Sequence, residues 1–212
     1  VSTYLQRDVR QILNIKDLSL FQKFLTIVAS RVGNVFIASS IASELGVDYK
    51  TIQSWMSILE TSYTAFLLQP FHRNIGKRLT KTPKIYFYDI GLVCHLLGIE
   101  NEQHIKNHPL RGAIFENMVV CEMLKRRYNK GLKNNLYFYR DQSAEVDVIQ
   151  EEAGSIKAYE IKSAERFNQE FTKSLSYIQK LLGDEISSSY IIYSGEEEMK
   201  FKNFSLINYH NL

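Results

Sequence analysis

The sequence predicts an α+β protein in which a helix-turn-helix and a β-hairpin precede an α/β sandwich. Two short helical patterns meet at Gly46, and two apolar strand patterns flank a basic loop. The second half then runs in the order helix, three strands, helix, strand. We assign residues 1–98 to a first module, 99–108 to a polar connection and 109–212 to a second module.

The composition is that of an ordinary soluble globular protein. Of its 212 residues, 45% are hydrophobic and 23% are charged, and no apolar run approaches the length of a membrane span. Cys94 and Cys121 lie far apart in apolar surroundings and make no zinc pattern. We therefore expect a cytoplasmic protein with free thiols and no membrane partner.

Helical patterns fill the beginning of the first module. Apolar residues recur at helical spacing over two stretches, residues 3–14 and 19–32. Ser39 or Ser40 is expected to cap a short helix that ends at Gly46, and Asp48 or Tyr49 opens the next helix. This second helix has an exposed polar face near its start, where a recognition helix meets DNA, formed by Lys50, Thr51 and Gln53.

A basic hairpin follows the helix-turn-helix. TAFLLQPF and KIYFYD are two predicted strands, and the stretch from His72 to Lys84 holds five Lys/Arg residues and no acid. A helix-turn-helix followed by such a hairpin is a winged helix. Its loop would meet a phosphate backbone through four cations, Arg73, Lys77, Arg78 and Lys81. The alternative is a winged helix used for protein packing, with a merely solvated loop.

The stretch EVDVIQEEAGSIKAYEIKS predicts a β-hairpin with its turn at Ala153–Gly154. A symmetric hairpin places Asp147 opposite Glu160 and Glu145 opposite Lys162. Carboxylates that face each other across a ladder repel, so we expect a positive group beside them: Mg²⁺ or Mn²⁺, Lys162, or both. The alternatives are a solvated hairpin with ordinary Glu–Lys pairs, and a one-residue bulge that breaks the facing.

A preceding helix carries a third acid. Glu116 is the only charge between Gly112 and Cys121 and shares a helical row with small and apolar residues. A carboxylate on such a stripe is costly unless it is paired or bound to a metal. We expect Glu116 to join the acids of the hairpin. The alternative is a buried glutamate satisfied by a tyrosine or by an arginine such as Arg140.

The order of these elements resembles the PD-(D/E)xK superfamily, which has the restriction-endonuclease-like fold. The resemblance covers about residues 110–209, with valine in place of the usual proline before the first acid. It implies that Asp147, Glu160 and Glu116 hold a divalent metal. It also implies that Lys162 helps to activate water.

The whole chain resembles the C-terminal half of a family of bacterial and archaeal AAA-type P-loop ATPases. The segments that carry the likeness are YLQRDVRQIL, the helix-turn-helix, KTPKIYFYDIGL, RGAIFENMVV, YRDQSAEVDVI and AYEIKSA. The resemblance implies a fragment that lacks its N-terminal ATP-binding domain, which would be its partner in cis. Val1 in place of methionine suggests a fragment as well.

Three kinds of function remain open. The first is a nucleic-acid-associated ATPase region whose nuclease-like domain binds Mg²⁺ and cleaves phosphodiesters. The second is a catalytically inactive module that binds DNA or protein for the ATPase. Residues 1–100 carry a net charge of +4 and residues 101–212 carry −1, so the half with the acids has no basic surplus. That balance favours the inactive module or the third kind of function, a purely structural interaction module. The presence of Asp147, Glu160 and Lys162 favours the nuclease.

Overall fold

The structure is a computed structural model that describes residues 18–72, 81–152 and 154–212. The predicted helix over residues 3–14 and three of the predicted loop cations, Arg73, Lys77 and Arg78, lie outside these ranges. The helices are α1 (Leu18–Ser30), α2 (Ala38–Leu45), α3 (Tyr49–Thr61), α4 (Ile90–Leu96), α5 (Glu102–Asn107), α6 (Arg111–Asn129) and α7 (Lys173–Leu182). The strands are β1 (Ala65–Leu68), β2 (Lys84–Phe87), β3 (Leu136–Arg140), β4 (Glu145–Glu152), β5 (Ser155–Lys162), β6 (Ile186–Tyr193), β7 (Met199–Lys200) and β8 (Ser205–Asn208).

The first half consists of α1, α2 and α3 followed by the antiparallel strands β1 and β2. Asp48 caps α3 by accepting a hydrogen bond from the Lys50 amide, as expected. Gly46 has a φ of 66°, a left-handed conformation that lets the chain turn sharply between α2 and α3. The helix α2 begins earlier than predicted, at Ala38, and no serine caps it, because Ile37 is its N-cap residue.

The second half is built on a six-stranded sheet with the order β3-β4-β5-β6-β8-β7. Its first three strands are antiparallel, whereas β5, β6 and β8 run parallel. The helix α6 packs on one face with Val148, Tyr159 and Ile161. On the other face, α7 packs with Ile149 and Ala158. The protein is therefore an α+β fold, as predicted.

The two halves share a hydrophobic core. Phe66, Leu68 and Tyr86 of the first sheet pack in the same cluster as Val120 of α6 and Phe138 of β3. The backbone of Phe71 also donates to the carbonyl of Phe138. The β1–β2 hairpin thus has one side covered by the second half.

The segment predicted as a polar connection contains the short helix α5. Asn101 caps it by accepting a hydrogen bond from the His104 amide. No helix among the described residues is long and apolar enough to cross a membrane.

Candidate functional site

The helix α6 carries Glu116 into the junction between the two halves. Its Oε1 atom accepts hydrogen bonds from the Tyr86 hydroxyl at 2.5 Å and from Lys84 Nζ at 3.1 Å. Both donors lie on β2 and share one face of that strand, because their positions differ by two. The lone acid of the apolar stripe is therefore satisfied by the first half of the chain.

Lys84 is the least exposed cation of this junction, with 2% of its side chain accessible. Its Nζ atom lies 3.1 Å from Glu116 Oε1 and 2.5 Å from Glu145 Oε1. Burial by itself would lower the pKa of Lys84, but the nearby carboxylates of Glu116, Asp147 and Glu145 outweigh it and hold the pKa above its ordinary value. The ammonium group is therefore charged and bridges two acids.

We call Lys84, Glu116, Glu145 and Tyr86 the Lys84 cluster. Its outer edge is Glu145, whose Oε2 atom lies 3.3 Å from Nε of the exposed Arg140. Because Glu145 forms ion pairs with Lys84 and Arg140, it does not face Lys162 as predicted. The alternative in which a tyrosine satisfies Glu116 agrees with the structure, whereas Arg140 contacts Glu145.

A β-bulge in β4 places Asp147. Pairing with β3 changes register between Tyr137↔Ile149 and Tyr139↔Val146, so that two residues of β4 lie opposite Phe138. Pairing with β5 follows the predicted symmetric register but ends at Val148↔Tyr159. Beyond that pair, Asp147 Oδ2 accepts a hydrogen bond from the Ile161 amide at 2.7 Å. The carboxylate therefore takes the place of a backbone acceptor instead of facing Glu160 in the ladder.

Lys162 joins the two acids of the hairpin. Its Nζ atom forms a close ion pair with Glu160 Oε1 and lies 3.8 Å from Asp147 Oδ2. The second oxygen of Glu160 accepts a hydrogen bond from the Ser174 hydroxyl of α7. We call Lys162, Glu160, Asp147 and Ser174 the Lys162 cluster. The structure thus brings three predicted site residues together and assigns the fourth, Glu116, to Lys84.

Burial perturbs one carboxyl group in each cluster. Desolvation raises the pKa of Glu116 and of Glu160, and the charge of Asp147 raises both pKa values further. The attached lysines act in the opposite direction but do not restore the ordinary values. Asp147 is therefore the electrostatic link between the two clusters.

The donor set does not fit a divalent metal as it stands. Glu116 accepts from Lys84 and Tyr86, Glu160 accepts from Lys162 and Ser174, and Asp147 accepts a backbone amide. Across residues 18–72, 81–152 and 154–212, no three metal-ligating side chains are grouped so that they could hold an ion. A metal would have to displace at least one lysine from its carboxylates.

The predicted nucleic-acid contacts lie on the first half. Lys50 and Gln53 are exposed on α3, and Thr51 is half-buried beside them. Lys81 is also exposed, and it lines a cleft of about 520 Å³ together with Gln53 and Tyr49. The structure therefore brings the face of α3 next to the segment that leads into β2.

Four residues were not expected from the sequence: Lys84, Tyr86 and Asn117 of the junction, and Ser174 of the Lys162 cluster. Asn117 is buried, and its amide group both accepts from the Phe87 amide and donates to the Phe87 carbonyl, which clamps α6 to β2. The basic run suggested a solvated position for Lys84. The spacing of Lys84 and Tyr86, two polar residues at alternate positions of an apolar strand, could have indicated a polar partner on one face of β2.

Two family comparisons together cover nearly the whole chain. Residues 1–103 match the family described as Domain of unknown function (DUF8612). Residues 111–212 match the family described as Domain of unknown function (DUF4143). No solved structure matches the chain.

Two curated relatives show the same extent of likeness. The uncharacterized proteins Mb2031c of Mycobacterium bovis and Rv2008c of Mycobacterium tuberculosis are each 29% identical to this chain over 199 residues. The match covers 92% of this chain and 43% of each relative. The chain therefore spans less than half the length of the curated relatives it matches, and each of its halves is similar to a family of domains of unknown function.

Proposed function

We propose that this chain is a nucleic-acid-docking region of an AAA-type ATPase, with a nuclease-like site that has lost catalysis. One observation supports the loss of catalysis: Lys84 Nζ lies buried between Glu116 and Glu145. A metal-dependent site would need a metal ion there, or carboxylates free to bind one. An internal cation that satisfies the acids removes the reason for them to bind Mg²⁺ or Mn²⁺.

The energetics support this reading. A buried carboxylate is expensive unless it is paired and hydrogen-bonded, and Glu116 has both a lysine and a tyrosine hydroxyl as partners. Displacement of Lys84 by a metal would leave the ammonium group to find a new partner inside the junction. The cost of that rearrangement works against metal entry.

The docking surface that we propose is the exposed face of α3 with the segment before β2. The three helices and the antiparallel hairpin that follows them support the proposal of a winged helix, in which the second helix of the helix-turn-helix would bind duplex DNA. Lys50, Gln53 and Lys81 are exposed on this surface. The net charge of +4 in residues 1–100 favours a polyanionic partner.

The link to an ATPase rests on the sequence resemblance and on chain length. The chain matches 43% of each curated relative, which leaves room in those proteins for a nucleotide-binding domain. In this proposal, ATP would bind to that preceding domain, and the present chain would position nucleic acid for it.

A cleavage and binding experiment tests the proposal. The chain is incubated with plasmid, duplex and single-stranded DNA in Mg²⁺ or Mn²⁺, and duplex affinity is measured for wild type and for Lys50→Glu/Lys81→Glu. We expect no cleavage, and about tenfold or more weaker duplex binding by the variant, with a flatter salt dependence. The control is Lys23→Glu/Lys180→Glu, which reverses two exposed lysines elsewhere. Equal loss in this control would contradict docking through α3.

A metal-dependent nuclease is the second candidate. The observation that favours it is the Lys162 cluster, which gathers Asp147, Glu160 and Lys162 as the superfamily pattern requires. Metal-dependent cleavage that disappears in both Glu160→Gln and Lys162→Met would establish this candidate and overturn the inactive site.

A further inference from the structure

Two clefts with basic and aromatic linings lie on the second half, away from both lysine clusters. The first, of about 400 Å³, is lined by Arg126, Arg127 and Lys130 of α6 and by Tyr159 and Tyr190 of the sheet. The second, of about 470 Å³, is lined by Lys200, Lys202, Phe201 and Phe204, by serines of β6 and again by Tyr190. Because both clefts include Tyr190, they are neighbours on the surface.

The aromatic rings supply flat apolar surfaces. Tyr159 and Tyr190 stack with their ring centroids 5.0 Å apart and their planes at 16°. Tyr190 is half-buried, so part of it is accessible beside the stack. In the second cleft, Phe201 stacks on Phe204 at 4.5 Å and is 38% exposed. Rings presented in this way can receive bases, since every base has a π-face.

The cations around these rings are largely uncompensated. Within the described part of the chain, Arg126, Lys130, Lys200 and Lys202 are exposed and form no ion pair with an acid. The carboxylate that lines the first cleft, Glu152, is already paired with Lys157 at 2.8 Å. The clefts therefore carry a local positive charge although the second half as a whole does not.

Position separates this surface from the lysine clusters. Tyr190 pairs with Tyr159 and with Ser205, whereas Lys162 pairs with Tyr193 at the carboxyl end of β6. Along β5, Lys162 lies three positions beyond Tyr159, which is about 10 Å at 3.3 Å per residue. The clefts thus lie towards the amino ends of β6 and β8.

We propose that the two clefts form one binding path for a single-stranded polynucleotide, which crosses the sheet at Tyr190. Bases pack on Tyr190 and Phe201, and phosphates meet the exposed cations on either side. A basic groove with interleaved aromatic rings is how proteins bind single strands without sequence preference. The path is independent of α3, so it goes beyond the duplex-docking surface.

Fluorescence anisotropy with a labelled oligothymidine of about 12 nucleotides tests the path. Arg126→Glu/Lys130→Glu should weaken binding about tenfold or more and flatten the log–log salt dependence by roughly 1.4, since each lost phosphate contact on a single strand contributes about 0.7. Tyr190→Leu should weaken binding about tenfold while leaving the salt dependence unchanged.

Two controls make the result decisive. Lys23→Glu/Lys180→Glu makes the same change of charge outside both clefts and should bind the oligonucleotide like wild type. Lys50→Glu/Lys81→Glu should also retain single-strand binding even if it loses duplex binding. Absence of binding by wild type, equal losses in the first control, or wild-type affinity in Arg126→Glu/Lys130→Glu would overturn the proposal. Since the two charged positions are exposed, that variant decides the matter even if Tyr190→Leu fails to fold.

Discussion

The Lys84 and Lys162 clusters contain the same kinds of chemical group but differ in their surroundings. Each places one lysine between two carboxylates and adds one hydroxyl donor, from Tyr86 in the first and Ser174 in the second. Lys84 is 2% exposed and comes from the other half of the chain, whereas the side chain of Lys162 is 33% exposed and comes from the same strand as Glu160. We infer that the first cluster fastens the two halves together, whereas the second has a partly exposed lysine beside two buried acids.

The largest expected effect is on stability when Lys84 loses its charge. Lys84→Met leaves Glu116 and Glu145 without their shared cation in a buried site, and we expect the free energy of unfolding to fall by about 3–5 kcal/mol. Urea denaturation measures it. Lys157→Met, which removes a partly exposed lysine paired with the partly exposed Glu152, should cost less than about 1 kcal/mol. Equal losses for the two substitutions would show that the Lys84 cluster does not stabilise the protein as a buried ion-pair cluster.

The next effect concerns the hydroxyl of Tyr86. Tyr86→Phe removes the donor to Glu116 in a fully buried position, and we expect a loss of roughly 1.5–3 kcal/mol because the acceptor is ionisable. The matched change in the other cluster is Ser174→Ala, at a half-buried position where water can replace the lost donor to Glu160. It should cost less than Tyr86→Phe in the same denaturation experiment. A larger loss in the free energy of unfolding for Ser174→Ala than for Tyr86→Phe would contradict the proposed difference between the clusters.

The pH dependence follows from the raised pKa values of Glu116 and Glu160. Between the ordinary pKa of a glutamate and these raised values, the folded protein holds protons that the unfolded chain has lost. Stability therefore falls as pH rises through this window, by at most about 1.4 kcal/mol per pH unit for each carboxyl. Chemical denaturation between about pH 4 and pH 8 measures the slope. Glu116→Gln/Glu160→Gln should flatten it, and an unchanged slope would contradict the assignment.

The smallest effect is expected for Lys162. Lys162→Met leaves Asp147 with its backbone donor and Glu160 with Ser174, and water can reach the partly exposed site. We expect a loss of about 1 kcal/mol, at the upper end of the range for exposed ion pairs, because the Lys162 side chain is partly exposed whereas both acids are buried. A loss as large as that of Lys84→Met would show that both clusters are equally closed.

The two clusters also show what the sequence could predict. The hairpin register follows from alternation along two adjacent strands, and the structure has it from Val148↔Tyr159 to Glu152↔Ser155 but not at the predicted pairs of Asp147 and Glu145. Lys162 does lie beside Glu160, as expected for two residues on one face of a strand. The bulge at Asp147 could only be weighed as an alternative, because one extra residue leaves the apolar pattern nearly unchanged. The link from Lys84 to Glu116 spans 32 residues and depends on how α6 packs on β2, which no local pattern encodes.

The helix boundaries show the same division between local and tertiary effects. The start of α3 follows from Asp48, whose side chain bonds its own helix. The start of α2 was misplaced because Ser39 and Ser40 have good capping chemistry, yet Ile37 N-caps the helix and the adjacent Phe36 packs in the core. Packing overrode the local preference there.

A Mn²⁺ titration by calorimetry tests most directly whether Lys84 stands in place of a metal. The variants are wild type, Lys84→Met and Lys84→Met/Glu116→Gln, with Lys157→Met as the matched control. We expect no binding heat for wild type or for Lys157→Met. Lys84→Met should give a binding isotherm, because the ammonium group no longer occupies the site, and Lys84→Met/Glu116→Gln should lose that isotherm. Mn²⁺ binding by wild type that Glu116→Gln or Asp147→Asn abolishes would contradict it.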